Sequence, residues 1–180
     1  MRLEKTPARA RLLFHPGRFN PVRINSLGAS SARHARLALA PGRSLYEAIV
    51  GPLAETGISN ASLTILGGAF AQLSYCVAPP DPSGQAVIAY TSPIDAGAAF
   101  MIFGNATLGV SLKDTPLVHC HAAIRTADGE LRGGHILTED CIIGATPISA
   151  LVTSLDGFSL RQAYDPETNI PLLQPMKENA

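Results

Sequence analysis

Pro116-Leu117-Val118-His119-Cys120-His121, followed by Gly133-Gly134-His135-Ile136-Leu137, is the stretch on which the reading of this chain turns. Three of the five histidines fall between positions 119 and 135, in a segment whose alternation reads as two paired β-strands. Alternate side chains of a strand point to opposite faces, so His119 and His121 share one face and Cys120 points to the other. Imidazole nitrogen is a good ligand for zinc and related divalent metals. Three such ligands leave one coordination position open.

Whether His135 joins the other two depends on the turn marked by Asp128-Gly129. A two-residue loop would pair Ala127 with Glu130 and place His135 on the wrong face. A three-residue loop, Ala127-Asp128-Gly129 with Gly129 left-handed, pairs Thr126 with Glu130 and sets His121 opposite His135, with His119 diagonal to it. A bulge at Gly133-Gly134 is another route to the same convergence. Directly opposed residues have Cβ atoms about 4.5–5.5 Å apart, close enough for two imidazoles to meet one ion. The residues predict a divalent-metal site, zinc by preference, at His119, His121 and His135.

Outward from this hairpin, the chain reads as one helix followed by many strands, an α+β domain on an antiparallel sheet. Residues 35–40 form a candidate first strand, and Pro41-Gly42 a turn. Ser44-Leu45-Tyr46-Glu47 fits a capping box. The helix it opens presents Leu45, Ile49 and Leu53 on one face, is expected to kink or break at Gly51-Pro52, and stops at Gly57. Residues 62–66, 70–77, 86–91, 100–110, 117–125, 130–137 and 141–153 are strand candidates, with Pro147 forcing an edge or bulge on the last. Residues 78–84, rich in proline, read as a loop. Gly67-Gly68 and Gly133-Gly134 read as bulges or close backbone approaches. Three segments follow: an extended basic arm over 1–33, a domain over 34–155, and a tail over 156–180 with Pro166, Pro171 and Pro175, expected to pack along the domain surface.

The 180 residues suit one domain, and 46% hydrophobic content allows a real core. No run of about 18 apolar residues suggests a membrane span. Three cysteines, outside CxxC spacing, indicate neither a disulfide framework nor a zinc ribbon. With no secretory-type leader pattern, a soluble cytoplasmic protein is the expectation. Net charge is zero, yet residues 1–43 carry nine basic side chains and one acid, Glu4, while the remainder carries five basic and thirteen acidic ones. Such an arm could bind nucleic acid through phosphates, act as an Arg-rich transit-like segment, or wrap an acidic body, its own or a neighbour's.

The HxH and GGH segments, with Ala127-Asp128-Gly129 between them, resemble the signature of the PPC (plants and prokaryotes conserved) domain. Pro41-Gly42-Arg43-Ser44-Leu45 and Gly57-Ile58-Ser59-Asn60-Ala61 are similar to that family's opening helix and second strand. The resemblance spans roughly 35–155. It implies a bent antiparallel sheet with few helices, a homotrimer, and a DNA-binding protein. In plant members a separate AT-hook contacts the minor groove, and this sequence contains no Arg-Gly-Arg-Pro hook.

A second reading is a metal-dependent lyase or hydrolase acting on a small molecule at the histidines. The PPC fold is similar to that of acetolactate decarboxylase, whose zinc is also held by histidines. Such chemistry needs a Lewis-acid metal and a proton-transfer group. Glu139 and Asp140, just past the second strand, are candidates for that group. Arg125, sharing the parity of His119 and His121, and less favourably Arg132, could hold an anionic substrate. The sequence shows no GxSxG elbow, P-loop or GxGxxG motif.

Overall fold

This computed structural model describes residues 13–22 and 25–177. Elements run β1 (His34–Leu39), α1 (Leu45–Glu55), β2 (Ala61–Ile65), β3 (Gly68–Cys76), β4 (Ile94–Val110), β5 (Pro116–Thr126), β6 (Leu131–Ile136), β7 (Ile142–Ile143), β8 (Ile148–Ser154), β9 (Phe158–Asp165) and β10 (Ile170–Lys177). One helix against a mostly antiparallel sheet is the α+β architecture the sequence predicts.

Helix α1 starts as its sequence dictates. Ser44 accepts from the Glu47 amide, and the Glu47 carboxylate reaches back to the Ser44 amide. Leu45, Ile49 and Leu53 are fully or almost fully buried. The expected interruption at Pro52 does not occur, and the helix runs on to Glu55. Pro52 lies in the last turn, so it withholds one amide from the ladder with little helix left to break. Beyond the C-cap Thr56, Gly57 takes φ +68°, a left-handed stop.

The bend of the sheet follows from β4. At 17 residues it serves two neighbours along one edge, β3 with its first half and β2 with its second. Its other edge carries β5, which pairs with β6, which in turn pairs with β3. Strands β3, β4, β5 and β6 thus close a hydrogen-bonded circuit. A register shift in β4 between Met101 and Phe103 accommodates the curl. The flank continues from β2 to β8 to β1. Leu39, Leu63, Ile65, Leu73, Ile124, Ile136 and Ile148 fill the interior beneath α1.

Four expectations change. Residues 86–91 are not a strand but part of a folded loop, touching the ladder pattern only through a bridge between Pro80 and Ile88. Asp81 instead gathers the Ser83 hydroxyl and the amides of Ser83, Gln85 and Ala86, which folds this part of the chain into a loop. The Ser83 hydroxyl first, and then those amides, hold the Asp81 carboxyl down at about 2. Residues 141–153 split into β7 and β8 around Pro147. No register shift occurs at Gly133-Gly134 in the β5–β6 ladder. The Pro-rich tail is a hairpin, β9–β10, whose β10 pairs with β9 alone. Pro171 and Pro175 share one parity on that outer strand, where a missing amide costs no ladder bond.

The segment preceding β1 lies against this hairpin. His15 Nδ1 is 2.7 Å from Glu167 Oε1, the Asn20 amide donates to Glu167 Oε2 at 2.9 Å, and the Gly17 amide donates to the Glu167 carbonyl at 2.9 Å. Arg33 donates to the Thr56 and Gly57 carbonyls at the end of α1 and pairs with Asp156 at 3.2 Å. Arg36 donates to Ser149 Oγ. These side chains of the basic segment are spent on the body of their own chain. Arg2, Lys5, Arg9, Arg11 and Arg23 lie outside the described residues.

Candidate metal centre

The three histidines converge. The turn between β5 and β6 is the three-residue form: the Thr126 amide donates to the Glu130 carbonyl at 3.0 Å, the Gly129 amide to the Thr126 carbonyl at 3.0 Å, and Gly129 has φ +89°. With Thr126 facing Glu130, every later pair follows, Arg125 with Leu131 and His121 with His135. His119 lies one pleat further along the same face. The alternation is clean, with Val118, Cys120 and Ile124 turned into the core. Burial pushes the Cys120 thiol up to about 12, aided by Cys141, so it is no thiolate ligand.

Nε2 of His119 and Nε2 of His121 are 3.0 Å apart, and one ring nitrogen from each of the three histidines falls within 4.8 Å of the others. Four ligands at about 2.05 Å around a tetrahedral ion are about 3.3 Å from one another. The observed spacings bracket that value, so small rotations about χ1 and χ2 suffice. The ring centroids of His119 and His135 are 4.7 Å apart. Nδ1 of His135 is buried and has no hydrogen-bond partner. A buried ring nitrogen without a partner costs free energy that a metal or a donor would recover. The donor set fits a divalent ion of borderline softness.

Electrostatics favour the neutral, ligating form. Burial, then the nearby His135 and His121 rings, hold His119 at about 4 against an ordinary 6.5. Burial and His121 lower His135 as well. A folded-state value below the unfolded one means the neutral rings stabilise the fold above the ordinary value, and that contribution is lost as pH falls towards the folded one. As far as these histidines contribute, metal-free protein is therefore expected to hold its urea stability between about pH 7 and 8 and lose it between about pH 6.5 and 4. A His119→Ala variant should show a shallower loss over that window.

The glycines before His135 are close approaches. A Cβ on Gly134 would sit 2.3 Å from the Cys76 carbonyl oxygen, and one on Gly133 would sit 2.6 Å from that of Ala122. The missing side chain of Gly134 lets β3 come down on β6, where Cys76 pairs with His135, and that of Gly133 lets β5 approach.

The candidate chemical partners do not gather here. Arg125 is exposed, four residues beyond His121, about 13 Å along the strand. Glu139 and Asp140 are exposed in the turn after β6. Arg132 pairs with Glu130. None of the four lines the space beside the histidines. That space is a cavity of about 710 Å3, with His119 and His135 in its wall. Tyr90, Thr107, Leu117 and Gln162 also line it; the sequence reading placed the first three on candidate strands but named none of the four as a site residue. The Tyr90 ring stands 5.2 Å from that of His135. Thr107 faces His119 across the β4–β5 ladder. Thr107 was findable, because the long alternating stretch of β4 precedes the HxH strand. Tyr90 and Gln162 carried no signal, since a folded loop and a hairpin beyond the family-like segment deliver them.

Among the described residues, no helix is long and apolar enough to cross a membrane. The Plants and Prokaryotes Conserved (PCC, also written PPC) domain matches residues 27–156. No curated protein sequence matches the chain. In three dimensions it is similar to a metal-containing protein from Archaeoglobus fulgidus, at TM-score 0.63 and 19% identity, covering 84% of this chain and 98% of that one. A plant- and prokaryote-conserved protein from Pyrococcus horikoshii gives TM-score 0.65 at 17% identity, covering 86% and 100%. A protein from Ralstonia eutropha, provisionally called DNA-binding, gives 0.58 at 16%, covering 78% and 89%. At these identities the likeness is one of fold.

Proposed function

The chain belongs to the Plants and Prokaryotes Conserved domain family, and on that premise we propose that it is a cytoplasmic homotrimer that binds one zinc ion per chain through His119, His121 and His135 and contacts DNA through its basic N-terminal arm. The observation that carries the metal reading is the convergence of the three ring nitrogens, together with the unpartnered Nδ1 of His135. The Archaeoglobus relative, described as metal-containing, supports it. When bound, a divalent ion would supply Lewis acidity at its open position. Metal analysis of purified protein tests the reading directly.

Assembly is supported by Phe100, Ile102 and Phe103, which are large apolar side chains left exposed on one stretch of β4. The DNA reading draws on charge and on the Ralstonia relative. Arg33 and Arg36 are committed to their own domain, so phosphate contacts are assigned to the arm's other basic residues, Arg2, Lys5, Arg9, Arg11, Arg18 and Arg23. Replacing Arg2, Lys5, Arg9 and Arg11 with alanine is expected to weaken duplex binding and make its salt dependence shallower by about 3 to 4 in log–log slope. Binding unchanged by these four substitutions would remove the arm from the DNA reading.

One observation favours a second reading, a metal-dependent lyase or hydrolase: the cavity opens beside the histidines. Among the described residues its lining includes no carboxylate, so the proton-transfer group of that reading would be Tyr90.

A further inference from the structure

The cavity beside the histidines is built partly from residues that the family match does not cover. That match ends at 156, whereas Leu160 and Gln162 of β9 and Ile170, Leu172 and Leu173 of β10 form one wall. The hairpin is held in place at both ends. Val110 of β4 pairs with Arg161, and the Leu160 amide donates to Asn60 Oδ1 at 2.8 Å. At the far end the Val87 amide donates to the Thr168 carbonyl at 2.9 Å, and Asn169 Nδ2 donates to the Gln85 carbonyl at 2.7 Å. The loop that carries Tyr90 is thereby tied to the hairpin turn.

The lining divides in two. Imidazoles, Tyr90 and Thr107 stand at the histidine end, and the hairpin contributes mostly aliphatic carbon. Gln162 is neutral, and its Oε1 accepts from the Leu112 amide at 3.3 Å. Among the described residues, no Asp, Glu, Lys or Arg lines the cavity. Three neutral imidazoles leave the charge of a divalent ion uncompensated, so an anionic oxygen donor is favoured at its open position. A second anionic group would meet aliphatic side chains and no cation, and an unpaired buried charge is strongly penalised. A volume of about 710 Å3 is in the range of small-molecule sites.

We propose that the β9–β10 hairpin makes the metal centre a binding site for a monocarboxylate with an extended apolar body, the carboxylate on the metal and the chain against Leu160, Ile170, Leu172 and Leu173. The proposal rests on the metal reading above. Its test is calorimetric titration of the full-length, zinc-loaded protein with butanoate, hexanoate and octanoate, and with hexanedioate. Affinity should rise roughly threefold to fourfold per added methylene, and hexanedioate should bind at least about tenfold more weakly than hexanoate. Zinc-free protein should bind none of them appreciably. A Leu172→Glu variant should lose octanoate binding while keeping its zinc, measured by elemental analysis.

Zinc retained with affinity independent of chain length, or with hexanedioate bound as well as hexanoate, would overturn the hairpin's role and leave the metal centre standing. Octanoate bound equally by zinc-free protein would overturn the carboxylate-on-metal arrangement. A protein that takes up no zinc would bring down both readings together. The chain-length series uses the unaltered chain, so it decides the matter even where Leu172→Glu fails to fold.

Discussion

Replacing His121 with alanine is expected to abolish stoichiometric zinc and leave the protein folded. The side chain is exposed, and its ring packs only against the other two histidines in the aromatic contacts. Its loss therefore removes a ligand without opening a cavity in the core. Removing a group that merely orients a ligand costs about 10–100-fold in metal affinity, and removing the ligand itself should cost more. The matching stability measurement is equally direct. At a free zinc concentration 100 times the dissociation constant, binding adds about 2.7 kcal/mol to the folded state. For a chain of this length that corresponds to a rise of about 5–10 °C in Tm. The parent should show that rise and lose it to a chelator, and His121→Ala should show neither. Retention of zinc by His121→Ala and by His119→Ala alike would place the metal elsewhere.

Gly134→Ala is expected to destabilise the fold by about 1–3 kcal/mol, the range for forcing an extra methyl into a packed site. The new Cβ would lie 2.3 Å from the Cys76 carbonyl oxygen, which is backbone and cannot swing aside as a side chain can. Relief requires β3 to withdraw from β6, which opens the β3–β4–β5–β6 circuit at the pair Cys76–His135. Zinc affinity should fall with it, because His135 of β6 loses the neighbouring strand that fixes its backbone. Gly129→Ala makes the instructive contrast. A Cβ there meets nothing within 4 Å, so only the left-handed backbone is penalised, at about 1–2 kcal/mol. Comparable losses of metal affinity in the two variants would show that the turn, rather than the close approach, governs the site.

The histidine face was legible because strand parity is a local property. Once a turn length is chosen, the pairing of residues 121 and 135 follows by counting, and Gly129 is the residue that makes three the natural length. The capping box at Ser44 and Glu47 was legible for the same reason: both partners lie within one helical turn. Legibility failed where proline was read without context. Pro52 was expected to break a helix that was already ending, and Pro171 and Pro175 concealed a strand whose outer edge needs no amides. It failed again for Arg125, Glu139 and Asp140. Parity assigns a face but not a position along it, and none of these side chains lines the cavity beside the histidines.

Sequence alone determined which residues can be ligands, which face they share and which turn brings them opposite one another, since all three depend on short-range backbone geometry. It also carried the family resemblance that the match over 27–156 bears out. Only the tertiary structure decided what surrounds those ligands. The closing of β3 onto β6, the seating of the β9–β10 hairpin through Val110 and Asn60, and the loop that brings Tyr90 to His135 join segments distant in the chain. Such contacts are selected by packing and by mutual satisfaction of backbone groups across the whole fold, and no local pattern encodes them.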